Sequence, residues 1–281
     1  MKKSILIILL LVGVSVSSFS QGGAVLLGLP YEEIHASSDE PMPYQYLREA
    51  DVMWSKTIWR KIELKEKMNH ILYLPVSPVG KRMSLIDCLL YGIHKGGLTP
   101  YDESGPDEFG IIMTEDEVHK KMGAKSTTSM VETLEGWSEV TIDEPYKSEN
   151  IKSYLLKELW FFDKQRSVLE VRIIGICPIL ETFREEDVDR EDPQMKKTFW
   201  VYYPEARELL AAQSIYNPYN DIKSLTYDDI LQKRYFSSYV FKESTPYDRP
   251  LLEYTTGLET LLEAESIKED IFNFEQDLWE Y

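Results

Sequence analysis

The chain has 281 residues, 43% of them hydrophobic, with 48 Asp and Glu against 31 Lys and Arg and a formal net charge of -17. So acidic a chain repels phosphate, which excludes nucleic acid as the expected partner, while its apolar content and length support a sizeable core in one large domain or two small ones. Past the first residues nothing approaches the ~18 consecutive apolar residues of a membrane helix, and no long alternating series of lipid-facing strands suggests a barrel.

Lys2 and Lys3 precede an apolar run from Ile5 to Val12 and a Ser-rich stretch ending in Ser18-Phe19-Ser20. This is the pattern of an export signal, residues 1–20, cut between Ser20 and Gln21. The chain is therefore expected in the periplasm or beyond, with no direct membrane span and no cysteine at the cut to carry a lipid. Residues 21–40 show no sustained period and read as a mobile arm. Residues 41–281 read as a single α+β domain.

Within that domain, Tyr46, Ala50, Met53 and Trp54 fall on one helical face, and Ile58, Ile62 and Leu64 then suggest a strand. Ser84-Leu85-Ile86-Asp87 resembles a capping box with Leu85, Cys88 and Leu89 as the buried stripe, and Gly96-Gly97 ends that helix. An acidic loop from Tyr101 to Glu108 contains Gly105-Pro106 and reads as solvated. The clearest β signal runs from Tyr154 to Cys177. Leu159 and Phe161 alternate with Trp160 and Phe162, Asp163-Lys164-Gln165-Arg166 turn the chain, and Val168 to Ile176 return, which makes an antiparallel hairpin. Phe199 to Tyr203 offers a further strand of the same antiparallel sheet.

Pro204 suits a first helical turn carrying Ala206, Leu209 and Leu210, and Thr226-Tyr227-Asp228-Asp229 opens another helix. The last helix, from about Leu258 to Trp279, has two apolar faces. Leu258, Leu261, Leu262, Phe272 and Trp279 make one, and Ile267, Ile271, Phe274 and Leu278 lie nearly opposite. Both need cover. Burial of both within the chain is the favoured expectation, and docking of one on another protein the alternative.

Signatures of common active sites are missing: there is no G-x-S-x-G elbow, zinc helix, Walker loop or dinucleotide turn. His35, His70, His94 and His119 read as surface or turn residues, and no cofactor or metal is expected. The acidic stretch Glu185, Glu186, Asp187, Asp189, Glu191 and Asp192 lacks the glycine a calcium loop requires and reads as solvated. Cys88 and Cys177 could bridge in an oxidising compartment or remain two buried thiols. Ten Phe, eighteen Tyr and six Trp suit a core, and any surplus at the surface would suit a partner.

Several long segments carry a resemblance: LREADVMWSKTIWRKIELKEKMN (Leu47 to Asn69), YLLKELWFFDKQRSVLEVRIIGICP (Tyr154 to Pro178), FWVYYPEARELLA (Phe199 to Ala211), YDDILQKRYFSSYVFKESTPYDR (Tyr227 to Arg249) and the closing IKEDIFNFEQDLWEY. They are similar to the GldN/PorN family. The resemblance implies a non-catalytic periplasmic subunit of the type IX secretion and gliding machinery. Such a subunit would self-associate in a ring with a GldK/PorK-like outer-membrane lipoprotein and contact a GldM/PorM-like motor subunit. It names no contact residues. As exposed rings beside charges make good anchors, Trp160, Phe162 and Arg166 on the hairpin and Trp279 on the last helix are the candidate interface residues. A carbohydrate-binding module, suggested by the Tyr and Trp content, is the alternative, and a hydrolase using carboxylates such as Asp107 and Glu108 a further one.

Overall fold

The computed structural model describes residues 40–80, 82–105, 107–133, 136–144, 146–182, 194–216 and 225–278. The export signal with Ser20 and Gln21, the arm up to residue 39, His35, the acidic stretch 185–192 and Trp279 lie outside the described residues. In chain order the elements are β1 (Val52–Glu63), α1 (His70–Tyr73), α2 (Leu85–His94), β2 (Pro100–Asp102), β3 (Ile111–Ile112), α3 (Glu115–Lys121), β4 (Lys125–Thr133), β5 (Gly136–Glu144), β6 (Ile151–Asp163) and β7 (Val168–Thr182). There follow β8 (Gln194–Lys197), β9 (Trp200–Tyr202), α4 (Tyr203–Ala212), β10 (Ser214–Ile215), β11 (Leu225–Thr226), α5 (Tyr227–Gln232), β12 (Tyr239–Glu243) and α6 (Leu258–Asp277).

The architecture is α+β. An eight-stranded antiparallel sheet runs β12-β1-β6-β7-β9-β2-β3, with β8 added to β7, and all the described elements fall in one compact unit, Ser37–Tyr281. The hairpin β6–β7 is its centre. Asp163 pairs Val168 at the tip and Leu155 pairs Cys177 further in, so the alternation visible in the sequence is the register of the sheet. Strands β4 and β5 pair separately.

That register sorts the core. Successive side chains of a strand point to opposite faces, so Tyr154, Leu156, Glu158, Trp160 and Phe162 share one face of β6. At one end of this face Ile62, Tyr154, Leu156 and Ile176 meet α2, α4 and α5 through Leu85, Cys88, Leu89, Tyr203, Leu210, Tyr227 and Ile230. At the other end Ile58, Val240 and Trp160 meet α6 through Ala264, Ile267 and Ile271. Between the two groups lies Glu158, fully buried, 3.0 Å from Arg234 Nη1 and accepting from Trp160 Nε1 at 3.0 Å. The opposite face holds Trp59, Leu155, Cys177, Ile179 and Trp200, covered by Tyr101 and Phe109. Gly175 is needed there, because a Cβ would come within 2.5 Å of the Phe109 ring.

Helix starts follow local chemistry. The Ser84 hydroxyl accepts from Asp87 N–H at 3.3 Å and donates to the Asp87 carboxylate at 2.7 Å. Thr226 accepts from Asp229 N–H at 3.1 Å, and Pro204 sits in the first turn of α4. These hydroxyls satisfy amides that the helix itself leaves without partners.

Two sequence expectations need correction. Tyr46 to Trp54 is not a helix: after one turn at Glu49–Asp51 the chain is already in β1 from Val52. The β-branched and aromatic residues Val52, Trp54, Thr57, Ile58 and Trp59 favour a strand, and pairing with both β6 and β12 outweighs the helical spacing. The acidic loop is not simply solvated either. Asp102 is bonded to Lys121, Glu103 lies 3.2 Å from Lys197, and Glu108 accepts from Lys157 Nζ at 2.6 Å and from Trp59 Nε1 at 2.9 Å. Its acids tie β2 and the following loop to α3 and to β8, β6 and β1.

Candidate partner interface

The hairpin candidates sit in the fold rather than free of it. Phe162 is buried, and Trp160 is half-buried beneath α6 with the Arg234 guanidinium 5.4 Å from its ring centre. The face that carries them is the one covered by α6, which is why their bulk is turned inward. Arg166 pairs with Asp163 at 2.6 Å and also bonds the Glu170 carboxylate. The guanidinium holds the Asp163 carboxyl below its usual range, helped by Gln165 N–H donating to it at 2.8 Å. Arg166 is thus the clasp of the turn.

Beside the hairpin, residues 41–45 form a strap held by side chains. Arg207 Nη2 donates to Met42 O at 2.6 Å, Arg172 Nη2 to Gln45 O at 2.7 Å, and Gln232 Nε2 to the Tyr44 hydroxyl at 2.8 Å. The Tyr44 ring lies 4.1 Å from the Arg207 guanidinium carbon and 5.0 Å from that of Arg172. Arg207 is itself fixed by a buried pair with Asp228, at 3.1 and 3.2 Å, to which the Tyr203 hydroxyl also donates at 2.6 Å. Burial foremost, together with the Asp228 charge, pushes the Tyr203 hydroxyl well above its ordinary pKa, so it stays protonated and donating. Strap, β7, α4 and α5 border a cleft of about 750 Å³. Sequence reading missed this strap, since one Tyr and two distant Arg carry no local signature.

The last helix departs most from expectation. Its inward stripe is Thr260, Ala264, Ile267 and Ile271, and the Phe274 ring packs at a tilt against Trp54, with centroids 4.7 Å apart. The second apolar face has no cover among the described residues: Leu258 is 71% exposed, Leu261 53%, Leu262 62% and Phe272 58%. Among the described residues, then, nothing buries these four, contrary to the expectation that both faces are covered within the chain. The sheet offers α6 one side only.

Cys88 and Cys177 are both buried and free. They lie in core groups on opposite faces of the sheet, so the sheet itself stands between them and the bridge considered above is not made. Burial raises each thiol to about 12, which leaves them protonated and poorly nucleophilic. Of the histidines, His94 contacts the Glu115 carboxylate at 2.7 Å, and His119 lies 3.5 Å from it and stacks on Tyr146. No group of three potential metal ligands occurs among the described residues, and no described helix is long and apolar enough to cross a membrane.

Residues 47–280 match the family model described as gliding motility associated protein GldN. The chain belongs to the GldN family. The match takes in the hairpin, the acidic ties and α6, so all of these are placed within the extent of a GldN family member. Comparison with curated proteins gives no match.

Proposed function

We propose that this GldN family member is a non-catalytic structural subunit of the type IX secretion machinery. It would lie in the periplasm at the inner face of the outer membrane, self-associated in a ring with a GldK/PorK-like lipoprotein and coupled to a GldM/PorM-like motor subunit. The observation that carries this reading is the family match across residues 47–280. The architecture is consistent with it: the buried or half-buried acids Glu108, Glu158 and Asp228 are engaged in ties within the fold, and an apolar surface stands exposed on α6.

The test is to tag the protein in its native host, solubilise outer membranes gently and identify by mass spectrometry what co-purifies at megadalton size. A lipoprotein of the expected type in near-fixed ratio supports the proposal. A lone monomer, under conditions that preserve such assemblies, overturns it.

A further inference from the structure

We infer that the outer face of α6 is a docking surface for a cationic protein partner, one presenting an apolar groove rimmed by Lys or Arg. The inference deepens the proposed function and rests on its premise that the chain works within an assembly. Leu258, Leu261 and Leu262 stand at i, i+3 and i+4 and so form one continuous ridge. Phe272 lies on the same side about three turns on, and the preceding turn Leu251–Glu253 adds Leu252, 60% exposed. Contiguous exposed apolar residues of this kind mark interaction sites.

Charge identifies the occupant. Within α6, Glu259, Glu263, Glu265, Glu269, Asp270, Glu275 and Asp277 face a single basic residue, Lys268, and Glu265 and Glu269 lie on the apolar face itself, between the leucines and Phe272. The helix has acids and no basic residue in its last turn, where the dipole disfavours negative charge. A sequence that departs from its own local preference in this way points to a requirement outside the helix, and a cationic partner meets it.

The same charge disfavours three other occupants. A second copy would bring like charge against like, and an anionic lipid surface would be repelled. Residues 21–40 of this chain hold Glu32, Glu33, Asp39 and Glu40 with no Lys or Arg.

The experiment places a photo-crosslinking amino acid at Leu262 of the full-length tagged protein in its native host and maps the adduct within the purified assembly. Two variants are compared in parallel: Leu261→Glu with Leu262→Glu, and Glu265→Lys with Glu269→Lys. The expected adduct lies on another polypeptide, in a segment with Lys or Arg flanking apolar residues. Each variant should lower the recovered partner at least ten-fold while circular dichroism and Tm stay near wild type. The charge variant keeps the test valid if the leucine variant misfolds. An adduct to residues 21–40, to α6 of a second copy or to lipid overturns the inference, as does undiminished recovery in the charge variant. If wild type is assembled and the charge variant equally so, only this surface fails; if wild type itself is a lone monomer, the structural-subunit reading fails with it.

Discussion

Helices α2 and α6 cover the two ends of one sheet face, and they do so in opposite ways. Helix α2 buries seven of its ten residues, Leu85, Ile86, Cys88, Leu89, Leu90, Gly92 and Ile93, because the sheet, α4 and α5 all pack against it. Helix α6 is twice as long and buries only Thr260, Ala264, Ile267 and Ile271. One is a core element and the other a platform. Apolar periodicity does not separate them, since both show an apolar stripe; the difference is whether neighbouring helices pack alongside, which depends on chain topology well beyond either helix.

The sharpest way to test that division is at its seam. Glu158 separates the two core groups, buried and paired to Arg234, with the buried Arg60 on the same sheet face of the neighbouring strand. Glu158→Ala removes the anion and leaves the guanidinium charge without its partner, and breaking a buried pair costs about 3–5 kcal/mol. The Arg234 side chain is 31% exposed, so a loss near the lower limit is expected in a urea titration. A change below about 1 kcal/mol would show that the seam is wet.

Next in size is the core helix itself. Leu89→Ala in α2, where the side chain is fully buried, should cost about 2–5 kcal/mol in the same titration. At the start of α6, Gly257 has φ +57° and ψ -119°, a region that is essentially closed to other residues. Gly257→Ala should lower stability by about 1–3 kcal/mol, measured by thermal melting, although the added methyl would meet nothing within 4 Å.

On the opposite sheet face the expected effect depends on pH. Burial alone would raise the Glu108 carboxyl, but the Lys157 ammonium and the Trp59 indole N–H outweigh it and the net shift is downward. A carboxyl depressed in the folded state adds stability above its unfolded pKa, and that contribution is lost as pH falls through the folded one. Glu108→Gln should therefore melt below wild type at pH 7, and the two Tm curves should converge below about pH 4. Parallel curves down to pH 3 would remove Glu108 from the ties that hold the loop.

The hairpin was legible because its signal is local. Leu159 to Phe162 and Val168 to Ile176 alternate across a polar turn, and the register of β6 with β7 follows that alternation. The hydroxyl caps at Ser84 and Thr226, and the proline opening α4, were equally readable, since each acts within three residues. What was not legible depends on long-range partners. Trp54 looked helical until β6 and β12 paired with its strand, and Glu108 looked solvated although its partners Trp59 and Lys157 are 49 residues away in either direction. Neither β12 nor the β4–β5 hairpin was anticipated, and the Tyr44 strap depends on Arg172 and Arg207. At the candidate interface the rings were found but not their side of the sheet: Trp160 and Phe162 face inward for the same reason that Leu261 and Leu262 face outward, namely that α6 lies between them.

That last contrast sets the smallest expected change in stability. Ile267 and Leu262 sit on one helix less than two turns apart, one 5% and the other 62% exposed. Ile267→Ala leaves a cavity against Ile58 and Val240 and should cost about 2–4 kcal/mol. Leu262→Ala removes a side chain with little buried surface and should stay within about 0.5 kcal/mol, so the two urea midpoints should separate clearly. If Leu262→Ala instead destabilises as much as Ile267→Ala, the outer face is already covered within the chain and α6 is a second core helix. If it is silent in stability, the fold makes no use of this leucine and the outer face of α6 is free for the docking inferred above.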